Sequence, residues 1–380
     1  MVLSEEITHP NETFKYHMRD LQEQDAEEMA HIFTIVYAGQ YPLKEYEDPD
    51  WIRQQVNNPN IIWKVCADSN ERPVGCGVML LNAKHGRIYG GRTVLLPELQ
   101  DKGVMNKIGM KCMMEVMMET KDRVRMWFGQ SRTEPDNIAM QRALEKAGFR
   151  PIALMVDMDT GTGDRESELV QTLIWNETFT NRRTDVKLVP EVKSFYEISR
   201  KQYVKMGKEY DIIDVPKIER KDCDLTFTFT PGKYYHTFTI TNTVASISTT
   251  INPFTESLTI DEFTQGHPDV LYFLLEELLM FCAKRNIKFI EACISAYEPE
   301  EQRLFLDHGF KIAGYFPAHD LVAGKGEDRI IMVKIPDQIM TTGFEFTKTS
   351  WKVAKIILNH LGLQGGIDIS ERGNVQFFVK

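Results

Sequence analysis

The chain has 380 residues, 42% hydrophobic and 26% charged. That balance excludes a disordered or collagen-like chain and leaves room for about two to three domains. Fifty-five acidic residues against 45 basic ones give a net charge of −10, a poor footprint for holding a nucleic-acid backbone or an anionic membrane. No uncharged apolar run approaches the roughly 18 residues needed to span a bilayer. The first residues, MVLSEEITHPNETF, lack the basic start and apolar stretch of a signal peptide, so a cytoplasmic location is expected.

In chain order, residues 14–21 read as a strand, followed by an amphipathic helix with Met29, Ile32, Phe33, Val36 and Tyr37 on one face. Residues 51–56 suit a second short helix. Strands are predicted at 61–67, 74–81 and 87–96, separated by the turn-forming runs Ser69-Asn70-Glu71-Arg72-Pro73 and Ala83-Lys84-His85-Gly86. Residues 97–103 open a long helix whose apolar positions run from Val104 to Met117. A strand at 124–131, a helix at 136–147 and a strand pair at 149–157 and 169–175 complete a mixed α/β sheet.

The run 177–222 is charged and irregular, with Arg182-Arg183 read as solvated, and reads as a linker with one helix near 191–203. Strands at 225–229 and 235–250 follow, then a helix built on Val270, Leu271, Leu274, Leu275, Leu278 and Phe281. A strand at 289–295, a helix at 299–307 and strands at 310–316 and 329–335 come next. The tail carries a helix at 350–361 and a strand at 375–379. An internal repeat underlies this order: Ser131, Glu134-Pro135 and Gly148-Phe149 align with Ser295, Glu298-Pro299 and Gly309-Phe310. Four segments are therefore expected, at 13–176, 177–222, 223–336 and 337–380.

The six cysteines form no CxxC pair, and the nine histidines no HExxH or zinc-type set, so reduced thiols and no metal are expected. The methionines from Met110 to Met118 read as core filling on an amphipathic helix, and His319-Asp320 as a surface loop. The most informative run is Leu95 to Lys107, in which a strand stops, a polar loop with Gly103 follows and a helix begins. The first amides of a helix have no internal partners and face the positive end of its dipole. A diphosphate fits such a nest, with Lys102 and Lys107 adding charge. The same residues also suit a plain strand-to-helix turn in which Gly103 supplies backbone freedom.

Gln100-x-x-Gly103-x-Met105 resembles the pyrophosphate loop of the Gcn5-related N-acetyltransferase (GNAT) family, matching two of its three positions, with Met105 in place of a small residue. Asn137-x-Ala139 and the later Gly148-Phe149 resemble the second signature of that family. The resemblance implies two GNAT-like domains, each a mixed α/β sheet flanked by helices, plus a C-terminal α/β extension, with the second copy degenerate. It implies acetyl-CoA as co-substrate, with the amides of Leu95 and Leu96 on the pantetheine arm. Gln100, Lys102, Gly103, Val104, Met105, Asn106 and Lys107 would form the pyrophosphate loop, and Asn137 would contact the pantetheine or adenosine.

The tyrosine that often protonates the leaving thiolate in this family falls at Leu144, and the strand 87–96 holds no carboxylate. Tyr89 and Glu134 are the catalytic candidates that remain. In the second copy Pro268, which has no N–H, stands where Gly103 stood, Gln265 keeps the glutamine position and Phe305 takes the tyrosine slot. The expected activity is N-acetyl transfer to a small-molecule primary amine, a cationic one suiting the acidic chain, with neither nucleic acid nor membrane as partner. A non-catalytic acyl-CoA sensor or assembly protein, and a protein lysine or N-terminal acetyltransferase, are the alternatives.

Overall fold

The structure, a computed structural model, describes residues 3–9, 12–100, 102–135, 138–159, 165–264, 266–337, 339, 341–370 and 373–379. The first part of the chain runs β1 (Leu3–His9), β2 (Glu12–Asp20), α1 (Ala26–Val36), α2 (Pro49–Gln55), β3 (Ile61–Ala67), β4 (Pro73–Asn82), β5 (Arg87–Leu95), α3 (Met110–Thr120), β6 (Met126–Arg132), α4 (Ile138–Lys146), β7 (Arg150–Asp159) and β8 (Glu166–Ile174). Helical spacing in α1 buries Met29, Ile32 and Phe33 completely. Asp48 caps α2 by accepting the Asp50 amide, with Pro49 in the first turn. The helix expected to open at 97–103 starts later. Pro97–Leu99 is a single 3-10 turn, Gln100 is extended and Gly103 is left-handed (φ +76°), and a π-helical turn, Met105–Gly109, then leads into α3. The chain must change direction at Gly103 before it can wind.

Beyond β8 come β9 (Lys187–Leu188), α5 (Lys193–Gln202) and β10 (Asp211–Ile212). The expected charged linker is in good part core, because Val186, Leu188, Val189, Val192, Phe195 and Tyr196 are all buried. Arg182, expected to be solvated, is buried too. Its Nε donates to Asp328 Oδ1 at 2.7 Å, so the charge is matched inside the fold.

The second β-rich stretch is β11 (Thr226–Thr230), β12 (His236–Thr241), β13 (Ser246–Asn252), β14 (Ser257–Phe263), α6 (Pro268–Lys284), β15 (Phe289–Ser295), α7 (Pro299–Asp307), β16 (Lys311–Val322) and β17 (Lys325–Lys334). The single strand expected at 235–250 is broken, because Asn242 Oδ1 accepts the amides of Val244 and Ala245 and turns the chain. The tail forms β18 (Gly343–Phe346), α8 (Lys348–His360), β19 (Gly365–Ile369) and β20 (Val375–Val379), with its strands in the order β18-β20-β19. This extension is stapled to the first unit: Gln141 Nε2 donates to the Glu345 carbonyl at 2.9 Å and the Glu345 amide donates to the Thr133 carbonyl at 2.6 Å.

One 15-stranded sheet has the order β1-β2-β3-β4-β5-β6-β8-β7-β16-β17-β15-β14-β13-β12-β11. Along β2–β8 every neighbouring pair is antiparallel except β5 and β6, which are parallel. The same order and senses recur along β11–β17, with β14 and β15 the parallel pair. The helices that precede Gly148-Phe149 and Gly309-Phe310 also end alike: the Phe149 amide reaches the Leu144 carbonyl at 3.0 Å and the Phe310 amide the Phe305 carbonyl at 3.1 Å. The two cores do not divide where the strands do. Met126 and Phe128 on β6 and Leu154, Val156 and Leu169 on β7 and β8 pack in one cluster with the second unit and the tail, while the other cluster is drawn from residues between Tyr16 and Phe149.

Candidate active site

β5 and β6 pair only from Arg87↔Met126 to Gly90↔Gly129. Beyond Gly90 the two strands part, and a cavity of about 500 Å³ opens at the fork. Its walls include the fork glycines Gly90, Gly91 and Gly129, the helix residues Gly109, Met110, Met113 and Leu144, and Tyr37, Tyr41 and Leu43 from α1 and the loop after it. A Cβ on Gly129 would lie 2.8 Å from the Leu144 methyls, so the glycine lets Leu144 of α4 pack against β6.

The predicted loop residues follow β5 in the chain, but Leu95, Leu96, Gln100, Lys102, Gly103, Val104 and Lys107 do not line this cavity. Leu96 donates its amide to the Val74 carbonyl at 2.9 Å, so that N–H is already spent within the sheet. Leu95, the residue before it, points its amide away from β4, since successive peptide groups of a strand alternate in direction. Gln100 Nε2 donates to the Leu95 carbonyl at 3.0 Å and ties the loop back to the strand. Lys102 and Lys107 are exposed, Val104 is a core residue, and the Lys107 amide bonds the Gly103 carbonyl at 3.0 Å. Met105 and Asn106 belong to the π-turn. Asn137 and Gln265 lie outside the described residues.

Neither catalytic candidate lines the cavity. Tyr89 stacks on Phe128 with ring centroids 4.6 Å apart, and its hydroxyl meets His319 Nε2 at 3.2 Å. It sits at the junction between the two units, where burial pushes its phenol well above the ordinary value. Glu134 accepts the Ser167 amide at 2.7 Å and so fastens the start of β8. His319 and Asp320, expected in a surface loop, are on β16: His319 is buried, and Asp320 accepts from Arg87 at 2.8 Å and from Arg329 at 2.7 Å. Of the expected methionine core, Met117 is buried, Met110 and Met113 face the cavity, and Met114 and Met118 are exposed.

The chemistry around the cavity comes from residues the sequence did not single out. Glu168 is the one carboxylate in its walls among the described residues, and Lys64, Arg92 and Arg132 are its cations. Arg132 pairs with Glu166 at 2.8 Å, with its guanidinium 5.9 Å from the centre of the Tyr37 ring. Burial holds the phenols of Tyr37 and Tyr41 above their ordinary value, so both remain neutral donors at pH 7. Only Tyr37 carried a sequence signal, as a member of the apolar helix face.

Residues 16–150 match the family model described as an acetyltransferase (GNAT) domain. The chain therefore carries a GNAT acetyltransferase domain. Similar solved structures include a ribosomal-protein-S5-alanine acetyltransferase from Vibrio fischeri, 18% identical over 45% of this chain and 96% of that one, with a TM-score of 0.36. Another is a spermidine N-acetyltransferase from Vibrio cholerae in complex with CoA and spermine, 13% identical over 42% and 95% of the two chains, with a TM-score of 0.35. Likeness at this level says nothing of what the GNAT domain here acetylates. Among curated proteins no match to the chain is found.

Gly90 and Gly91 present no side chain to the cavity, whereas the Leu144 methyls fill the space beside Gly129. No group of three or more metal-ligating side chains occurs among the described residues, and no helix among them is long and apolar enough to cross a membrane. All six cysteines are free thiols, four of them buried.

Proposed function

We propose that the chain transfers an acetyl group from acetyl-CoA to the primary amine of a small molecule bound beside the fork of β5 and β6. The observation that carries this reading is the continuity of one cavity from the helix residues Met110 and Met113, through the glycines of the fork, to Tyr37, Tyr41 and Glu168. The co-substrate supplies the activated thioester. The amine nitrogen attacks the thioester carbonyl carbon, the C–S bond breaks, and amide and thiol are formed. The free amine pair exists only after its proton leaves, since an alkyl ammonium has a pKa of about 10.4. Glu168 takes that proton, directly or through water. Leu144 supplies no acid, so the leaving thiolate takes a proton from solvent or from a hydroxyl of the wall. The Leu95 amide faces the thioester side, and Gly103 with the amides after it holds the diphosphate.

The second unit serves in this reading as the outer wall of the acceptor site rather than as a second cofactor site. Tyr235 donates its hydroxyl to Glu45 at 2.7 Å, and Asn252 Nδ2 donates to the Pro42 carbonyl at 3.0 Å, which pins the loop that carries Tyr41 and Leu43. Its own parallel pair, β14 and β15, also stops after four residues, yet the rings of Phe263 and Phe305 meet there at 5.5 Å and Pro268 opens α6. Thiol release from acetyl-CoA over a panel of small amines and a lysine peptide tests the reading. Release that depends on a small amine supports it. Acetylation of the peptide alone would move the assignment to protein acetylation, and binding without release to a sensor.

A further inference from the structure

Three cations line the cavity, and two of them are already neutralised. Lys64 pairs with Asp20 at 2.6 Å and Arg132 with Glu166 at 2.8 Å. Arg92 makes no ion pair with any described residue, and its Nε is buried without a hydrogen-bond partner. The phenols of Tyr46, Tyr41 and Tyr235 and the carboxylate of Glu168 attract its charge against the cost of burial. An arginine keeps its charge at any ordinary pH, and a buried guanidinium N–H left without an acceptor is costly unless a ligand completes it.

The backbone reinforces the point. The register of β4 against β5 slips between Cys76 and Val78, leaving an extra residue in β5. At that bulge Arg92 adopts φ +48°, a conformation L-residues avoid and glycine accepts readily. Bulges of this kind re-aim a side chain, and here the side chain so aimed is the cation that makes no ion pair. The neighbouring positions Gly90 and Gly91 are glycine; this strained one is not.

Building on the acetyl-transfer reading, we propose that the acceptor is a small amine that also carries an anionic group, a carboxylate or a phosphate, and that Arg92 holds that anion. Glu168 and Arg92 then offer an acidic and a basic group to one cavity, which suits a zwitterion better than a polycation. The net acidity of the chain, which by itself favours a cationic amine, does not describe this site.

Initial rates with acetyl-CoA test the proposal on matched probes: α-amino acids against their decarboxylated amines, O-phosphoethanolamine against ethanolamine, and spermidine. The anion-bearing member of a pair is expected to win by about tenfold or more in kcat/KM, mainly through KM. The carboxylate and phosphate arms identify which anion is used. Arg92→Gly, which suits the backbone, and Arg92→Met should each erase the preference and lower kcat/KM for the favoured probe by about 10–100-fold, while Arg92→Lys restores part of it. The affinity for acetyl-CoA, measured by calorimetry, reports that each variant is folded. Preference for spermidine or for the decarboxylated amines, or a preference that survives both Arg92→Gly and Arg92→Met, overturns the proposal and leaves acetyl transfer standing. Transfer to none of these amines by protein that binds acetyl-CoA overturns both.

Discussion

Gly314 of β16 stands opposite Ala153 of β7 in the one residue pair that, among the described residues, joins the two halves of the large sheet. A Cβ on Gly314 would lie 2.4 Å from the Ala153 Cβ and 2.6 Å from the Ile152 carbonyl oxygen. Backbone cannot withdraw as a side-chain tip can, so Gly314→Ala should force the strands apart. We expect a loss of about 1–3 kcal/mol in unfolding free energy, read in a denaturant titration. An unchanged midpoint would mean that the seam yields.

Gly103 poses a different question, because a Cβ there would meet nothing within 4 Å. The cost of Gly103→Ala is therefore conformational, roughly 1–2 kcal/mol for a left-handed alanine. Gly103→Pro cannot keep φ +76° at all and also deletes an amide. Calorimetric titration with acetyl-CoA should show one site in the wild type, weakened by alanine and lost with proline. Equal affinity in all three would place the diphosphate elsewhere.

Glu168→Gln keeps the shape of the cavity wall and removes its carboxylate. If Glu168 accepts the ammonium proton, kcat should fall by about 10²-fold or more at neutral pH while acetyl-CoA affinity holds. The loss should shrink as the pH rises toward the pKa of the amine, where free amine is abundant. A loss independent of pH would make Glu168 a positioning residue.

The junction between the units should respond to acid through His319. Burial pushes its imidazole down to about 4, against about 6.5 in an unfolded chain. Arg87, Arg125, Arg329, Tyr89 and Asp320 surround it. Burial pushes the Asp320 carboxyl up, but its bond with His319 and the charges of Arg329 and Arg87 outweigh that and keep it ionised. The unfolded state then binds the extra proton, so stability is full above about pH 6.5 and falls between pH 6.5 and 4, by up to about 1.4 kcal/mol per pH unit. His319→Gln should flatten that part of the stability profile. Parallel profiles would show that the imidazole titrates normally.

Much of the fold was legible because local pattern determines local structure. Ile61–Ala67, Phe289–Ser295 and Pro299–Asp307 were read to the residue, since alternation, prolines and turn residues all act within a few positions. The repeat was legible for the same reason, as Gly148-Phe149 and Gly309-Phe310 end their helices alike. The expectation of a cofactor loop at Gly103 came from a resemblance in short motifs.

What the chain could not announce is what distance in sequence conceals. Arg182 reads as a solvated charge until Asp328 is brought to it, and His319-Asp320 as a loop until Arg87 and Tyr89 arrive from the other unit. Tyr89 and Glu134 have the right chemistry but face the junction and the start of β8, because strand direction and pairing choose which side chains see the cavity. Arg92 was invisible as a site residue, since a bulge is a relation between two strands. The sequence by itself determined many of the elements and the likeness between their two runs, and it pointed by resemblance to acetyl-CoA. Tertiary structure decided which charges were paired and brought Arg92 to the cavity wall without an ion pair, because only packing removes water and sets partners side by side.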